Sequence, residues 1–371
     1  MNNVLAIIDL HNDGKLNFND YQSETASTTF MGRYSFIDSV LSNLTNSGID
    51  DIAILVKNHF RSISKHIGND STYLRNTKTG FLNILINEKN LSNDAFNTDV
   101  NNLKENDYIF YDSSNKYVLV CPIKFICNIN YQKVIEEHIK SNRIVSVVYA
   151  PSTTPKDYIG CDHLTIDSLN GVQKFEKISG DEETVNVSLA TYVINLKFMK
   201  DLIMKADKIS ALFSLEDVFK YISQYIEHLN CIRFDGYFRK FSNLKDYYKN
   251  SFEVLDNRKF YDELIKDNIT YLTSSHNSQP VSYGAEADVK NSLIANGCII
   301  NGTCHHSILA RDILIEEGAT VENCILFTHT IVKSGVHLKN LVANKRCVFK
   351  TQKEVFGDEN DPLYIPRYGV I

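Results

Sequence analysis

The 371-residue sequence lacks several features that define common protein classes. It contains no run of about 18 apolar residues, and the short apolar run at residues 4–8 has no basic leader before it. Lysine and arginine form no block, and the formal net charge is −6. These absences disfavour a membrane-spanning or secreted chain and argue against nucleic acid and membrane partners. We therefore expect a cytoplasmic protein.

The cysteines also lack the spacing of a metal site. No C-x-x-C pair occurs among the eight, and no histidine stands at a spacing suited to zinc. Scattered cysteines of this kind predict buried thiols in a reducing compartment. They are Cys121, Cys127, Cys161, Cys231, Cys298, Cys304, Cys324 and Cys347.

The first half of the chain alternates between strand and helix patterns. Residues 4–9 and 51–56 are apolar strands, and the residues between them include a helix at 36–47 that Gly48 ends. Further buried strands at 117–121 and 144–149 enclose a helix at 131–141. This alternation indicates a Rossmann-like α/β sheet. The length of the chain predicts a second domain.

From about residue 280 onward, apolar residues recur at every sixth position. Residues 294–299 and 300–305 are two successive hexapeptides, and Cys298, Thr303 and Ala319 are small residues expected to point inward. This period predicts a left-handed parallel β-helix with triangular coils. We place the domain boundaries at 1–255 and 280–371, with residues 256–279 as a linker.

Residues 34–49 read YSFIDSVLSNLTNSGI. They resemble the segment YRLIDFxLSNxxNSGI of the bacterial glucose-1-phosphate adenylyltransferases, or ADP-glucose pyrophosphorylases. The resemblance extends from residue 4 into the hexapeptide repeats. It implies an N-terminal nucleotidyltransferase domain of the GT-A-like kind, followed by a left-handed β-helix.

The phosphate-binding motifs of that family are missing here. The family has G-G-x-G-S/T-R-L and then R-A-K-P, whose glycines let backbone N–H groups approach phosphates. An ungapped count back from Ile49 places residues 10–15 over the first motif and 23–26 over the second. Lys15 and Thr25 are therefore degenerate positions, and Asp13 adds a negative charge where a triphosphate would lie.

The two aspartates that hold the catalytic magnesium in that family are also replaced. Alignment of L-A-G-D-H-I-Y-K-x-D-Y on Tyr131 puts Lys124 at the first, and alignment of G-Y-W-R-D on Gly236 puts Lys240 at the second. Magnesium requires hard oxygen ligands, so the resemblance implies no metal, no cofactor and no catalytic residue in this chain. An ammonium group there either replaces part of the cation's charge or pairs with a carboxylate such as Asp9 or Asp235.

The sugar-phosphate side is better preserved. The family's F-x-E-K-P motif, whose lysine meets glucose 1-phosphate, corresponds to Phe175–Ile178 and retains Glu176 and Lys177. Ser188 and Arg239 complete a candidate sugar-phosphate or effector pocket, although Ala190 replaces a glycine of the family. An exposed ion pair at a strand edge explains Glu176 and Lys177 equally well.

The resemblance leads to one functional hypothesis and several alternatives. The chain is expected to be a regulatory or catalytically deficient subunit that assembles with a magnesium-dependent catalytic subunit, as a mixed tetramer, and that responds to a phosphorylated effector. The alternatives are an active enzyme with a rearranged site and a stand-alone sugar-phosphate sensor. An acyltransferase using His305, His306 or His329 is disfavoured, because no acceptor loop interrupts the repeats.

Overall fold

The computed structural model describes the chain except residues 1–2, 12–15, 20, 24, 59, 69–71, 112–113, 209, 226–227, 266–270 and 275–276. The degenerate position Lys15 and the charge of Asp13 therefore lie outside the described residues.

The chain forms two compact units. The first contains residues 1–14, 39–240 and 267–272, and the second contains 15–38, 241–266 and 273–371. The predicted domain boundary at residue 255 stays a prediction. The two compact units combine segments that are distant in sequence, so they do not test a boundary drawn at one point along the chain.

The helices of the described residues are short and amphipathic, and none is both long and apolar enough to cross a membrane. Their bounds are α1 (Phe36–Asn46), α2 (Phe60–Ile67), α3 (Asp99–Glu105), α4 (Tyr108–Tyr111), α5 (Tyr131–Ser141), α6 (Leu196–Lys205), α7 (Leu215–Tyr225), α8 (Leu244–Asp256) and α9 (Arg258–Ile265).

The strands that precede the repeats belong to the sheet of the first unit and to small hairpins. Their bounds are β1 (Val4–Asp9), β2 (Leu16–Phe18), β3 (Tyr21–Ser23), β4 (Thr29–Phe30), β5 (Tyr34–Ser35), β6 (Asp51–Val56), β7 (Phe81–Ile86), β8 (Tyr117–Pro122), β9 (Phe125–Cys127), β10 (Val145–Ser152), β11 (Asp162–Ile166), β12 (Val172–Lys177), β13 (Val185–Asn195), β14 (Asn230–Arg233) and β15 (Phe238–Lys240).

The first unit is built on a mixed sheet with the strand order β12-β11-β13-β8-β1-β6-β7, to which β10 and β14 are attached through β13. Strands β8, β1, β6 and β7 run parallel, and Asp9 at the end of β1 is level with Leu55 and Pro122. The predicted strands 4–9 and 51–56 are confirmed, as is the helix 131–141. The predicted strands at 117–121 and 144–149 are present as β8 and β10, with slightly different ends.

Helix α1 carries the sequence segment on which the family resemblance depends. Its apolar stripe is fully or almost fully buried, and Asp38 accepts a hydrogen bond from the Ser35 N–H at 2.9 Å in the first turn. The helix ends at Asn46, one residue before the predicted end, and Gly48 follows with a φ of 71°. A left-handed residue at this place ends the helix, as the sequence predicts.

The repeats form parallel strands on three faces, consistent with a left-handed β-helix of the hexapeptide type. Their bounds are β16 (Ser282–Tyr283), β17 (Asp288–Lys290), β18 (Leu293–Ile294), β19 (Ile299–Ile300), β20 (Thr303–His305), β21 (Ile308–Leu309), β22 (Leu314–Ile315), β23 (Thr320–Leu326), β24 (Ile331–Val332), β25 (His337–Ala343), β26 (Val348–Phe349), β27 (Glu354–Phe356) and β28 (Leu363–Ile365).

Each later coil is 17 residues long, one fewer than three hexapeptides. This spacing follows from the register, which places Thr303 beside Thr320, and Thr320 beside His337. Cys298 and Ala319 fill the core as predicted. The prediction for Thr303 was wrong: the adjacent Cys304 is fully buried, and Thr303 lies on the other side of its strand.

One corner of the coils is stabilised by a ladder of asparagine side chains. Asn323 and Asn340 stand 17 residues apart, and both have a left-handed backbone, with φ of 50° and 52°. The Asn323 side-chain amide donates to Asn340 Oδ1 at 3.1 Å, and the Asn340 amide donates to the Gly357 carbonyl oxygen at 3.2 Å. Asparagine tolerates this backbone conformation and satisfies the neighbouring coil at the same time.

Substitution of Gly32 tests how tightly the second unit is packed around this residue. It has a φ of 69°, and a Cβ atom there would lie 2.6 Å from the carbonyl oxygen of Leu309. Gly48 has a similar φ of 71°, but a Cβ atom there would meet nothing within 4 Å. Alanine costs about 1–2 kcal/mol at either position through the left-handed backbone. We expect Gly32→Ala to lower the melting temperature clearly more than Gly48→Ala, measured by circular dichroism; equal losses would contradict the close approach.

Candidate functional site

The candidate site lies beyond the carboxyl ends of the parallel strands of the first unit. In open α/β sheets, ligands bind at this edge. Asp9 is the last residue of β1, and Lys124 follows two residues after the end of β8. Helix α7 contributes Glu216 from its first turn. All three side chains line one small cavity.

Lys124 belongs to a chain of ion pairs that we call the ion-pair cluster: Lys124, Glu216, Lys220, Asp162 and Lys177. Lys124 Nζ lies 3.4 Å from Glu216 Oε2, and Lys220 Nζ lies 3.2 Å from Glu216 Oε1. Lys220 and Lys177 bind the two oxygens of Asp162 at 2.7 and 2.9 Å. Three ammonium groups therefore surround two carboxylates.

Burial and charge act in opposite directions on this cluster. Burial opposes ionisation of Glu216, but Lys124, a hydrogen bond with Asp162, and Lys220 together hold its pKa well below the usual range. Burial and the hydrogen bond with Glu216 raise the pKa of Asp162 despite its two lysine partners. Burial lowers the pKa of Lys220, but the two carboxylates reverse this effect and raise it. The cluster is a mutually stabilised set of buried and half-buried charges.

The second degenerate metal position lies near the same cluster. Lys240 donates from Nζ to the carbonyl oxygen of Ile159 at 2.7 Å. Burial raises the pKa of the Cys161 thiol, and the charges of Lys240, Lys124 and Lys177 act in the opposite direction. The structure therefore brings together three lysines that are distant in the sequence.

His11, the second residue after β1, is held by hydrogen bonds on both ring nitrogens. The His11 ring donates from Nδ1 to the Asn97 carbonyl oxygen at 3.2 Å, and its Nε2 accepts from the side-chain amide of Asn102 at 3.0 Å. That amide also donates to the Leu85 carbonyl oxygen at 3.1 Å, which fixes its orientation and hence the tautomer of His11. Burial lowers the pKa of His11. A neutral, fully bonded imidazole thus occupies a position that resemblance assigns to the phosphate-binding turn.

The carboxyl groups of Asp9 and Asp99 are hydrogen bonded to each other. Asp9 accepts the His11 backbone N–H at 2.9 Å. Asp99 is fully buried and accepts the Leu215 N–H with both oxygens at 3.0 Å, which anchors the start of α7. Burial, the Asp9 charge and a hydrogen bond with Asp9 raise the pKa of Asp99 well above its usual range. Asp99 therefore keeps its proton to a higher pH than an ordinary aspartate does.

The small cavity lined by Asp9, Lys124 and Glu216 has a volume of about 20 Å³. This is room for about one water molecule. Ligand pockets usually have volumes of about 300–1,000 Å³. The space is too small for a nucleoside triphosphate or a sugar phosphate. Its lining residues are Asp9, Val120, Pro122, Lys124, Ala190, Tyr192, Leu215, Glu216 and Phe219.

Each of the candidate sugar-phosphate residues has contacts of its own among the described residues. Ser188 is buried, and its hydroxyl accepts the Ala190 N–H at 3.2 Å. Glu176 pairs with Lys174 at 2.6 Å, whereas Lys177 alternates to the other side of β12 and joins the ion-pair cluster. Arg239 lies over the ring of Tyr237, 4.9 Å from its centroid.

Ala190 and Thr25 are the two remaining positions that the sequence comparison singled out, and both are buried. Ala190 keeps a left-handed backbone with φ 48°, the conformation that suits the glycine it replaces, and its methyl group lines the small cavity. Thr25 is buried in the second unit, where its carbonyl oxygen accepts the Thr28 N–H at 3.1 Å.

The histidines of the repeats have structural partners. His305 Nε2 lies 2.9 Å from Asp288 Oδ2, and His329 lies 3.8 Å from Asp312. His306 stacks on Phe252, and its ring nitrogens lie 2.7 Å from oxygens of Asp256 and Asn323. These contacts join neighbouring coils or the coil to α8.

The sequence reasoning named Asp9 but missed the other acidic residues of the site, Asp99, Asp162 and Glu216. Glu216 and Lys220 carried a readable signal, because a Glu and a Lys four residues apart on a helix form an ion pair. Asp162, Asp99 and the two asparagines beside His11 carried no such signal, since their roles depend on packing.

The residues of this site do not fit a catalytic magnesium ion. Among the described residues, no group of three His, Cys, Asp or Glu side chains is placed to hold a metal ion. The Asp9 and Asp99 carboxyl groups are hydrogen bonded to each other, and Glu216 is bound by two ammonium groups. Hard oxygen ligands are therefore already used by protons and lysines.

Comparison with known proteins agrees with the fold. Residues 23–257 match the family described as Nucleotidyl transferase, and the chain belongs to that family. Residues 279–362 match the family GlmU-like, C-terminal hexapeptide. The predicted α/β nucleotidyltransferase domain followed by a β-helix is confirmed.

One curated relative is similar along nearly the whole chain. It is the Glycogen biosynthesis protein GlgD of Bacillus subtilis (strain 168), which is 25% identical over 357 residues. The match covers 94% of this chain and 91% of the relative. It supports the family resemblance that was inferred from residues 34–49.

Asp99 makes the stability of the first unit depend on pH. A carboxyl group with a raised pKa in the folded state binds more protons when folded, so stability falls as pH rises between the unfolded and folded pKa values. The slope is up to about 1.4 kcal/mol per pH unit. Asp99→Asn keeps an acceptor for Leu215 and a donor for Asp9 but cannot ionise. We expect it to remove this loss as pH rises above the unfolded aspartate pKa of about 4, measured by urea unfolding; an unchanged slope would contradict a raised pKa of Asp99.

Proposed function

We propose that this chain is a catalytically deficient, regulatory subunit of a glucose-1-phosphate adenylyltransferase complex in glycogen biosynthesis. Its partner would be a magnesium-dependent catalytic subunit, which forms ADP-glucose and pyrophosphate from ATP and glucose 1-phosphate. The observation that carries the proposal is the ion pair between Lys124 and Glu216 at the position of the expected metal ligand.

The ion pair supports a loss of catalysis for two physical reasons. An ammonium group cannot ligate magnesium, and it repels a second cation at the same place. Removal of Lys124 alone would leave Glu216 half-buried with its remaining partner Lys220. Ion pairs of this kind are costly to break from one side. The cluster is thus a stable replacement for the metal site rather than a single lost ligand.

The surroundings of His11 support the same proposal. Phosphate transfer requires backbone N–H groups that are directed at the phosphates and are unengaged by the protein. The His11 N–H is used by Asp9, and the neighbouring cavity holds about one water molecule.

Lys177 supports a remaining role in the response to a phosphorylated effector. Its side chain is 64% exposed, while its partner Asp162 is 5% exposed and already bound by Lys220. An anionic ligand could therefore displace Lys177 from Asp162 without leaving that carboxylate unpaired. A stand-alone sugar-phosphate sensor would use the same residue. The two hypotheses therefore differ in whether the chain associates with a catalytic subunit, and not in the residues of the site.

The isolated chain should not form ADP-glucose. The loss of metal and phosphate contacts removes several orders of magnitude in rate. Turnover is measured with magnesium, ATP and glucose 1-phosphate by release of pyrophosphate. The substitutions Lys124→Asp and Lys240→Asp together should not restore it, because the phosphate-binding turn is still lacking and such residues act as a unit.

Two outcomes would contradict this expectation. Turnover by the pure unsubstituted chain at about 1 per second or faster would favour an active enzyme with a rearranged site. Robust turnover by the double variant would show that only the metal ligands had been lost.

Mixing the chain with a catalytic homologue from the same cell should raise that subunit's kcat or its apparent affinity for substrates. A coupling of this kind changes the constant by roughly 5- to 150-fold. Lys177→Met should reduce the activation when a phosphorylated effector is present, with assembly unchanged. Lys174→Met is the matched control, because Lys174 is on the same strand, has the same 64% exposure and pairs with Glu176 outside the cluster.

The mixing experiment separates the alternatives. Equal activation by the Lys177 and Lys174 variants would indicate that this chain acts as a scaffold and has no sensing site at Lys177. No activation by the unsubstituted chain would reject the regulatory role. Binding of a sugar phosphate by the isolated chain, with no association with a catalytic homologue, would favour the stand-alone sensor.

A further inference from the structure

One corner of the β-helix carries a line of side chains that are hydrogen bonded from coil to coil. His306, Asn323 and Asn340 follow each other at intervals of 17 residues, and all three have a left-handed backbone, with φ of 44°, 50° and 52°. Gly357, 17 residues further on, contributes its carbonyl oxygen. We call these four residues the corner ladder. His306 stands at its start, at a position that the next two coils give to asparagine.

The direction of the hydrogen bonds in the corner ladder is fixed from its far end. The Gly357 carbonyl oxygen can only accept, so the Asn340 amide group donates to it, at 3.2 Å. Asn340 Oδ1 is then the acceptor for the Asn323 amide group, at 3.1 Å. Asn323 in turn presents its Oδ1 to the His306 ring, 2.7 Å from Nδ1. Because an amide oxygen carries no hydrogen, Nδ1 of His306 is the donor.

The second nitrogen of the His306 ring faces another acceptor. Its Nε2 lies 2.7 Å from Oδ1 of Asp256, the last residue of α8. An ionised carboxylate also only accepts. A neutral imidazole has one donor and one acceptor nitrogen, so it cannot donate in both directions. Both hydrogen bonds therefore require a hydrogen on each ring nitrogen.

Phe252 makes a third contact with this ring. The rings of Phe252 and His306 are stacked, with their centroids 4.7 Å apart and their planes inclined by 25°. A positive charge over the face of an aromatic ring is attracted to it, so the stacking suits a protonated imidazole. Phe252 lies one turn before Asp256 in α8. The same helix thus provides both contacts, and His306 fastens its end to the corner ladder.

We propose that the doubly protonated ring of His306 is a latch that holds the end of α8 on the β-helix, and that loss of one proton opens it. A neutral ring keeps a hydrogen on one nitrogen only, so either Asn323 or Asp256 loses its donor. The Asp256 side chain is 51% exposed and gains water in exchange, so the bond to α8 is the one that opens. Histidine is the side chain whose charge changes near neutral pH, and the latch therefore responds to pH.

The latch forms one wall of a cavity of about 620 Å³ between α8, the corner ladder and residues 359–362. The other charged residues that line this cavity are Lys245, Lys249, Glu253 and Glu359. From the preceding coil, the Lys290 carbonyl oxygen accepts the His306 backbone N–H, and the Lys290 ammonium group binds Asp288 at 2.8 Å. Two lysines and two glutamates of the lining act on the ring in opposite directions, whereas Asp256 touches it directly. Opening of the latch changes the wall of the cavity that Asp256 forms.

The test is hydrogen exchange of the last turn of α8 in the full chain, at about pH 6 and about pH 8.5. The rates are expressed as protection factors, which remove the effect of pH on the intrinsic exchange rate. We expect the protection of this turn to fall about 10-fold or more at the higher pH, because a hydrogen bond to a charged group is lost. Nitrogen-15 NMR of the His306 ring is the second measurement and should show a hydrogen on both nitrogens at the lower pH.

Two substitutions separate the latch from a general effect of pH. In Asp256→Asn the amide group can turn, so it accepts from a protonated Nε2 or donates to a neutral one, and the end of α8 should stay protected at both pH values. His306→Asn continues the corner ladder in the same left-handed backbone but is too short for the contact with Asp256, so protection should be low at both pH values. Asp288→Asn is the matched control. Asp288 binds His305 at 2.9 Å within the β-helix, and its substitution should leave the pH response of α8 unchanged.

Each contrary result would overturn the proposal for its own reason. Equal protection of α8 at both pH values in the unsubstituted chain, or a neutral His306 ring at the lower pH, would show that no second proton holds the helix. A pH response that persists in Asp256→Asn or His306→Asn would show that this pair is not its source. Loss of the response in Asp288→Asn would assign it to the charged pairs of the β-helix. None of these measurements involves a catalytic partner, so the inference does not depend on the proposed regulatory function.

Discussion

The ion pair between Lys124 and Glu216 is the constraint on which the site of the first unit depends. Both charges are largely withdrawn from water, with side chains 25% and 19% exposed. Charges in this position must be paired, because the loss of one partner leaves the other uncompensated. Glu216 is also held by Lys220, which in turn binds Asp162. The cluster consequently fills the edge of the sheet beyond the ends of β1 and β8 with paired charges.

The position of Glu216 depends on a second buried carboxyl group. Burial raises the pKa of Asp99 well above its usual range, and its carboxyl group accepts the N–H of Leu215, the first residue of α7. A neutral carboxylic acid can accept at the start of the helix and donate to Asp9 at the same time. The end of β1, the start of α7 and the ion-pair cluster are thereby joined. The result is a site in which hydrogen bonds and ion pairs replace ligand contacts.

The second unit follows a different principle, because its stability comes from repetition. Each coil presents the same positions to the next, so inner apolar residues and a corner ladder of asparagines recur at 17-residue intervals. The outer residues are less constrained by the core. They differ from one side of the coils to another: Ile308, Ile325 and Val342 are buried, Asp288 and Glu322 pair with neighbouring histidines, and Ile299 and Val370 are exposed.

The sequence by itself determined the architecture. Local periodicity fixed β1, α5 and β6, since an apolar strand or an amphipathic helix is encoded in adjacent residues, and the hexapeptide period fixed the β-helix. The family motif also identified Lys124 and Lys240 as positions where carboxylates were replaced. Only the tertiary structure decided what those lysines do. Glu216 lies 92 residues from Lys124 in the chain, and the partnership of Asp99 with Asp9 depends on burial that no local pattern reports. Contacts between residues distant in sequence are set by packing, and packing is what the sequence pattern alone does not contain.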